Sequence, residues 1–320
     1  MKPSPAASVT SAPPPALAWS AASRGWLLGA LGVLLFALTI PMTRLASGDL
    51  QQPQLPAAFV ATGRAALAGV LAALWLAWQR AAWPTAAQWR GLALTASGVV
   101  FGFPLFLGWA VQRVDAAHAA VVSGLLPMAT AAIGSLLLGQ RGSRAFWAWA
   151  AAGLGLVLGF ALWQGGARLQ LADGLLVLAV VLGGFGYVMG ARMSAPTAGG
   201  QPGMAPQQVI SWVLVGSLPL TLPLAGWTAP PADAAAWQAV RPSAWLGFLY
   251  VAVVSMWLGF FAWYRGLQLG GMLRVSQVQL LQPFLSIAFA VPLLGDAFEP
   301  ASALFALAVA ATVAGAKRAA

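Results

Sequence analysis

The chain contains no cysteine, one histidine and six acidic residues. Without cysteine there are no disulfides, no thiolate metal sites and no cysteine nucleophiles. One histidine and so few carboxylates leave no acid/base pair and no metal cluster inside an apolar body, so the composition argues against an enzyme and implies no cofactor. No GxxxxGK[ST] segment is present, which argues against ATP hydrolysis by the chain itself.

Charge is scarce too. Only 7% of the 320 residues are charged while 60% are hydrophobic, too few to hydrate the surface of a soluble protein of this length. The apolar residues fall into runs of about 20, the length that crosses a bilayer core as helix. The formal net charge of +10 comes from arginines scattered singly between those runs, a pattern of positive-inside topology and not of nucleic-acid binding.

What is present is an all-α polytopic membrane protein. Ten spans are expected near 25–43, 57–78, 91–112, 116–138, 145–163, 174–193, 209–224, 245–268, 272–294 and 301–316, the seventh short and carrying Pro219 and Pro223. Residues 1–24, rich in Pro, Ala and Ser, are expected to form a disordered cytoplasmic tail. With the N-terminus inside, eleven Lys and Arg fall on the inner side and four on the outer, and Arg64 lies within a span. That asymmetry predicts both termini in the cytoplasm of a chain integral to the cell membrane.

Residues 124–139, GLLPMATAAIGSLLLG, and 280–295, LLQPFLSIAFAVPLLG, share a proline and a closing Leu-Leu-Gly. Pro127 and Pro283 are 156 residues apart, as are Gly139 and Gly295, and Gln112 with Gln268. An ungapped match over that length points to duplication, with repeats at 25–163 and 174–316. Five helices per repeat is an odd number, so the copies enter the membrane in opposite orientations. The loop that follows the repeated element in the first copy, QRGSR, is then basic and cytoplasmic; the one that follows it in the second, DAFEP, is acidic and external. Inverted repeats place a binding site at their interface near the midplane.

The stretches WYRGLQLGGMLRVSQVQLLQPFLSIAFAVPLLGDAF and LGWAVQRVDAAHAAVVSGLLPMATAAIGSLLLGQR, with FALTIPMTRLA and FVATGRAALAG, resemble the drug/metabolite transporter superfamily, EamA type, over about 25 to 318. That resemblance implies ten helices in two repeats and the export or import of small metabolites, often amino acids. Family members typically carry glutamate after the Leu-Gly; here Gln140 and Asp296 stand there.

Polar residues inside the spans are the candidate site. Arg64 is about 10 Å into the second helix at 1.5 Å per residue, at a cost of at least about 2.5–3.5 kcal/mol; it either snorkels outward or attracts an anionic solute. Ser276, Gln279, Pro283 and Ser286 share one face of the ninth helix, and Ser123 and Pro127 the equivalent face of the fourth. Each proline withholds an N–H, so the carbonyls of Ser123 and Gln279 are expected to be free and to line a wet cavity; interhelical hydrogen bonding is the other reading of these side chains. Gln282 adds a donor and acceptor. Trp109, Trp257 and Tyr264, on equivalent helices, are candidates for an apolar wall or for lipid contact, and His118 is a candidate proton site. Gly155/Gly159 and Gly186/Gly190 are expected to serve close helix packing. The expected function is a secondary-active transporter, in the export direction, of a small amphipathic metabolite such as an amino acid; the alternative is a non-transporting sensor or assembly subunit. The lipid bilayer and a small-molecule substrate are the implied partners, and the oligomeric state is open, a monomer included.

Overall fold

The computed structural model describes residues 20–48, 52–111, 122–163, 171–196, 200, 202–230, 237–295 and 300–320. His118 and Asp115 lie outside them, as does the tail before Ser20. Ten helices account for almost all of what is described. We label them α1 (Ala21–Ser47), α2 (Ala57–Trp78), α3 (Ala86–Val111), α4 (Leu126–Leu138), α5 (Arg144–Trp163), α6 (Leu171–Ser194), α7 (Pro206–Thr228), α8 (Pro242–Gly270), α9 (Met272–Leu294) and α10 (Pro300–Ala319). Seven stretches within them are long and apolar enough to span a membrane, and α4 and α5 contain shorter apolar helices.

The seventh helix is not short. α7 runs for 23 residues straight through Pro219 and Pro223. The two prolines are four residues apart and exposed on one face. Ser217 and Thr221 tie their hydroxyls back to the carbonyls of Val213 and Ser217, a local back-bond common for Ser and Thr inside helices.

The duplication is visible in backbone detail. α4 and the second half of α9 each begin with proline in the first turn, Pro127 and Pro283, where the missing N–H costs nothing. Each ends on a left-handed glycine, Gly139 at φ 65° and Gly295 at φ 76°, a conformation glycine adopts without steric cost. The repeated Leu-Leu-Gly is a helix stop used twice. A widened π turn occupies Ser97–Gly102 in α3 and Tyr250–Leu258 in α8; shifting the first by 156 residues places it inside the second.

The most extensive helix contacts all join one repeat to the other: α1 with α8, α6 with α3, α2 with α7, α5 with α10, and α4 with α6. Adding five to a helix number turns α1–α8 into α6–α3 and leaves α2–α7 and α5–α10 unchanged, as an approximate two-fold relation demands. Glycine makes two of these seams. A methyl group at Gly25 would lie 2.2 Å from the Gly270 nitrogen, and one at Gly98 would lie 2.6 Å from the Gly186 Cα. Gly190 faces Tyr264 equally closely, but Gly155 and Gly159 have nothing within 4 Å, so only the second of the two expected glycine pairs packs helices. Gly155 and Gly159 leave a smooth outer face.

The two ends of the bundle differ in charge. At one end Ser143 donates to the Ala319 carbonyl at 2.6 Å, Arg274 donates to the Ala320 carbonyl, and Lys317 sits 4.1 Å over the Trp26 ring. Arg141, Arg144, Arg318 and Arg24 neighbour these positions in sequence. At the other end the Arg241 backbone donates to Gln54 at 2.8 Å and its guanidinium to Gln52, tying the loop after α1 to the start of α8.

Candidate functional site

Every irregularity in the helices meets at one place. α1 breaks at Leu38 before Pro41, α3 and α8 carry their π turns, and α9 tightens into a 3-10 turn over Gln277–Leu281 before Pro283. Non-α backbone at membrane depth survives only where protein buries it or a cavity adjoins it. Here a cavity of about 160 Å³ adjoins it.

Its wall is drawn from both repeats: Phe36, Thr39 and Ile40 of α1, Arg64 of α2, Val99, Phe103, Pro104 and Leu107 of α3, and Ser123 and Leu126 around the start of α4. Gly183 and Tyr187 of α6, Ser255, Met256 and Phe260 of α8 and Gln282 of α9 complete it. Most of that surface is apolar. The polar groups are few: the Thr39 and Ser255 hydroxyls, hydrogen-bonded to each other at 2.7 Å, Ser123, Tyr187, Gln282 and the Arg64 guanidinium. A volume close to that of an engineered cavity which takes benzene, about 150 Å³, suits a small solute. The cavity is displaced toward the Arg241 end, because α1 contributes Phe36–Ile40 and not its first turns.

Arg64 is the one charged residue on that wall. Its Nε is buried with no hydrogen-bond partner, and no described side chain forms an ion pair with it. A desolvated guanidinium left this way carries a standing cost that an anionic guest would relieve.

Of the residues singled out from sequence, Arg64, Ser123 and Gln282 line the cavity. Pro127 and Pro283 each follow directly on a lining residue, Leu126 at the start of α4 and Gln282 at the start of the second half of α9. The carbonyl of Gln279 is not free: the Gln282 N–H takes it in the 3-10 turn, because tightening the helix by one residue restores the bond that Pro283 withholds. Ser286 is 6% exposed and donates at 2.7 Å to the carbonyl of Ala37. That carbonyl has lost its own helical partner, since the residue four on is Pro41. Ser286 therefore fastens α9 to the break in α1.

Trp109 is half exposed and packs edge-on against Phe106 at 5.7 Å, away from the cavity wall. Trp257 is buried with its indole donating to the Ser211 hydroxyl at 2.8 Å, among Trp75 and Phe261. Tyr264 is fully buried beside Phe260 at 5.3 Å, its hydroxyl unpaired. Gln279 is 3% exposed with both amide atoms unpaired; the Tyr187 hydroxyl faces it without closing a bond of normal geometry. His118 lies outside the described residues.

Thr39, Ser255, Tyr187 and the phenylalanines of the wall carried no signal strong enough to single them out. Thr39 stands two residues before a mid-span proline, and Tyr187 is one of only three tyrosines; those were the available hints.

A family model for the EamA-like transporter family matches the chain twice, over residues 23–162 and 170–316. The "Uncharacterized transporter YdeK" of Bacillus subtilis (strain 168) is 42% identical over 296 residues, covering 92% of this chain and 98% of that protein. A crystal structure of a protein 18% identical superposes with a TM-score of 0.72, covering 93% of this chain and 98% of the other; it shares the fold.

Proposed function

The chain belongs to the EamA-like transporter family and is a membrane transporter, not an enzyme, and we propose that it exports a small amphipathic metabolite bearing a carboxylate, such as an amino acid, by alternating access. The two repeats, 25–163 and 174–316, hold the cargo between them. The observation that carries this reading is the central cavity: an apolar wall, a handful of neutral hydroxyl and amide groups, and one unpaired guanidinium. Arg64 takes the carboxylate, in the fork geometry that guanidinium offers. Phe36, Phe103 and Phe260 shelter the apolar body. Ser123, Gln282 and the Thr39–Ser255 pair orient what remains.

The helix breaks supply the moving parts. Short segments joined at prolines and π turns re-angle with less loss of hydrogen bonding than continuous helices do. The charge asymmetry favours both termini in the cytoplasm; in that orientation the Arg241 end is external and the cavity lies toward the outside. The test is counterflow in proteoliposomes. Liposomes holding the purified chain and loaded with an unlabelled carboxylate-bearing amphipathic solute accumulate the labelled solute transiently, and amine-only analogues fail to do so. A panel of carboxylate solutes with no counterflow, against active amine cations, would overturn the assignment.

A further inference from the structure

Buried polar atoms without partners cluster in one part of this protein. Apart from the Arg64 Nε they belong to Trp26, Ser194, Trp263, Tyr264 and Gln279, and all lie in the half between the cavity and the basic end of the bundle. That half is packed shut: Trp263, Tyr264, Val275 and Ser276 have no exposed surface.

Four of the polar groups form a line. Tyr187 stands on the cavity wall. Three residues along α6 is Gly190, against which the Tyr264 hydroxyl presses; a methyl group at Gly190 would lie 2.4 Å from that oxygen. Four residues further is Ser194, its hydroxyl unpaired and its carbonyl taken by the Gln268 amide. Spacings of three and four keep these positions on one face. From α9 the Gln279 amide turns to the Tyr187 hydroxyl. A run of uncharged donors and acceptors thus leads from the cavity to the sealed end, and its buried members have no partner.

Leaving hydrogen-bonding groups dry and unpaired opposes the closed arrangement unless another state satisfies them. We propose that Tyr187, Gln279, Tyr264 and Ser194 are the second half of the pathway, a polar subsite for the cargo's carboxylate that is closed here and wetted when the α8–α9 end opens. The inference rests on the transport reading above. The chemistry suits release: phenol, carboxamide and hydroxyl groups donate to a carboxylate in place of Arg64 without a second fixed cation to retain it.

A cysteine at Ser194 would be the only one in the chain, and a second probe at Ala191, 7% exposed, sits on the same face. N-ethylmaleimide should label both in membranes, since the half opens. Gln279→Leu and Tyr264→Phe replace unpaired polar groups with apolar ones, favour the closed form, and should each slow labelling by about fivefold or more while lowering counterflow turnover without lowering the melting temperature. Labelling of neither probe in protein that exchanges cargo would overturn the proposal, as would labelling rates that neither substitution changes. If no carboxylate solute exchanges yet both substitutions slow labelling, the cargo assignment falls and the second half-pathway stands.

Discussion

Replacing Ser286 with alanine separates structure from transport. In the folded protein the Ser286 hydroxyl is the donor to the Ala37 carbonyl at 2.7 Å, in a site 6% exposed. The carbonyl needs that donor because Pro41 has no N–H to give. Interhelical hydrogen bonds in membranes average about 0.6 kcal/mol and reach about 1.7. Leaving a buried acceptor unpaired costs about 1–3 kcal/mol. Together these place Ser286→Ala at about 1–2 kcal/mol, or a melting temperature lower by about 2–6 °C. Transport per folded molecule should stay at wild type, since Ser286 does not line the cavity. The mechanism makes a sharper demand in a double-mutant cycle. Pro41→Ala restores an N–H to α1, so the Ala37 carbonyl regains an intrahelical partner, and Ser286→Ala in that background should cost less than half as much. Detergent melting of the four proteins measures the coupling. Equal costs in both backgrounds, or transport lost at unchanged melting, would refute the reasoning.

Arg64→Gln should weaken apparent affinity for carboxylate cargo by about 10- to 100-fold, the worth of a charged hydrogen bond, and shift that for neutral analogues less than threefold; competition in counterflow reads both. A cysteine at Ser143 should be shielded from impermeant thiol reagents in intact cells and one at Pro300 labelled, because in inverted repeats the loops between the fourth and fifth helices of each copy lie on opposite sides; labelling of both, or of neither, contradicts the inversion. Neutralising Arg141 and Arg144 together should leave a fraction of chains inverted or misinserted, seen with a reporter fused after Ala320; an unchanged reporter would place orientation in helix packing instead.

The spans and the repeat were legible because both rest on long-range regularities: apolar runs of bilayer length, and an ungapped match that keeps proline and glycine at helix starts and stops. α7 was expected over 209–224 and runs over Pro206–Thr228, its two exposed prolines lying inside the helix without a break. The site was legible only in part. Arg64, Ser123 and Gln282 stood out as polar residues at membrane depth. Several residues picked on α8 and α9 do not line this cavity, for a physical reason. Each residue turns an α-helix by about 100°, so the π turn at Tyr250–Leu258 and the 3-10 turn at Gln277–Leu281 rotate everything beyond them away from an α-helical reckoning. Trp257, Tyr264 and Ser286 were placed by that reckoning, and all three lie off the cavity. Thr39 and Ser255 reach it because of the break at Leu38 and the π turn of α8, whereas Tyr187 reaches it from an unbroken helix, α6.

The central claim is that cargo occupies the cavity between the repeats. Ser123 lies on its wall, and Ser123→Cys adds the only thiol in the chain. Modification of that cysteine by a small thiol reagent should abolish counterflow, and saturating carboxylate cargo should slow the modification by about tenfold or more, as occupancy of the site excludes the reagent. Full modification with counterflow intact, or a modification rate that cargo does not change, would contradict the account.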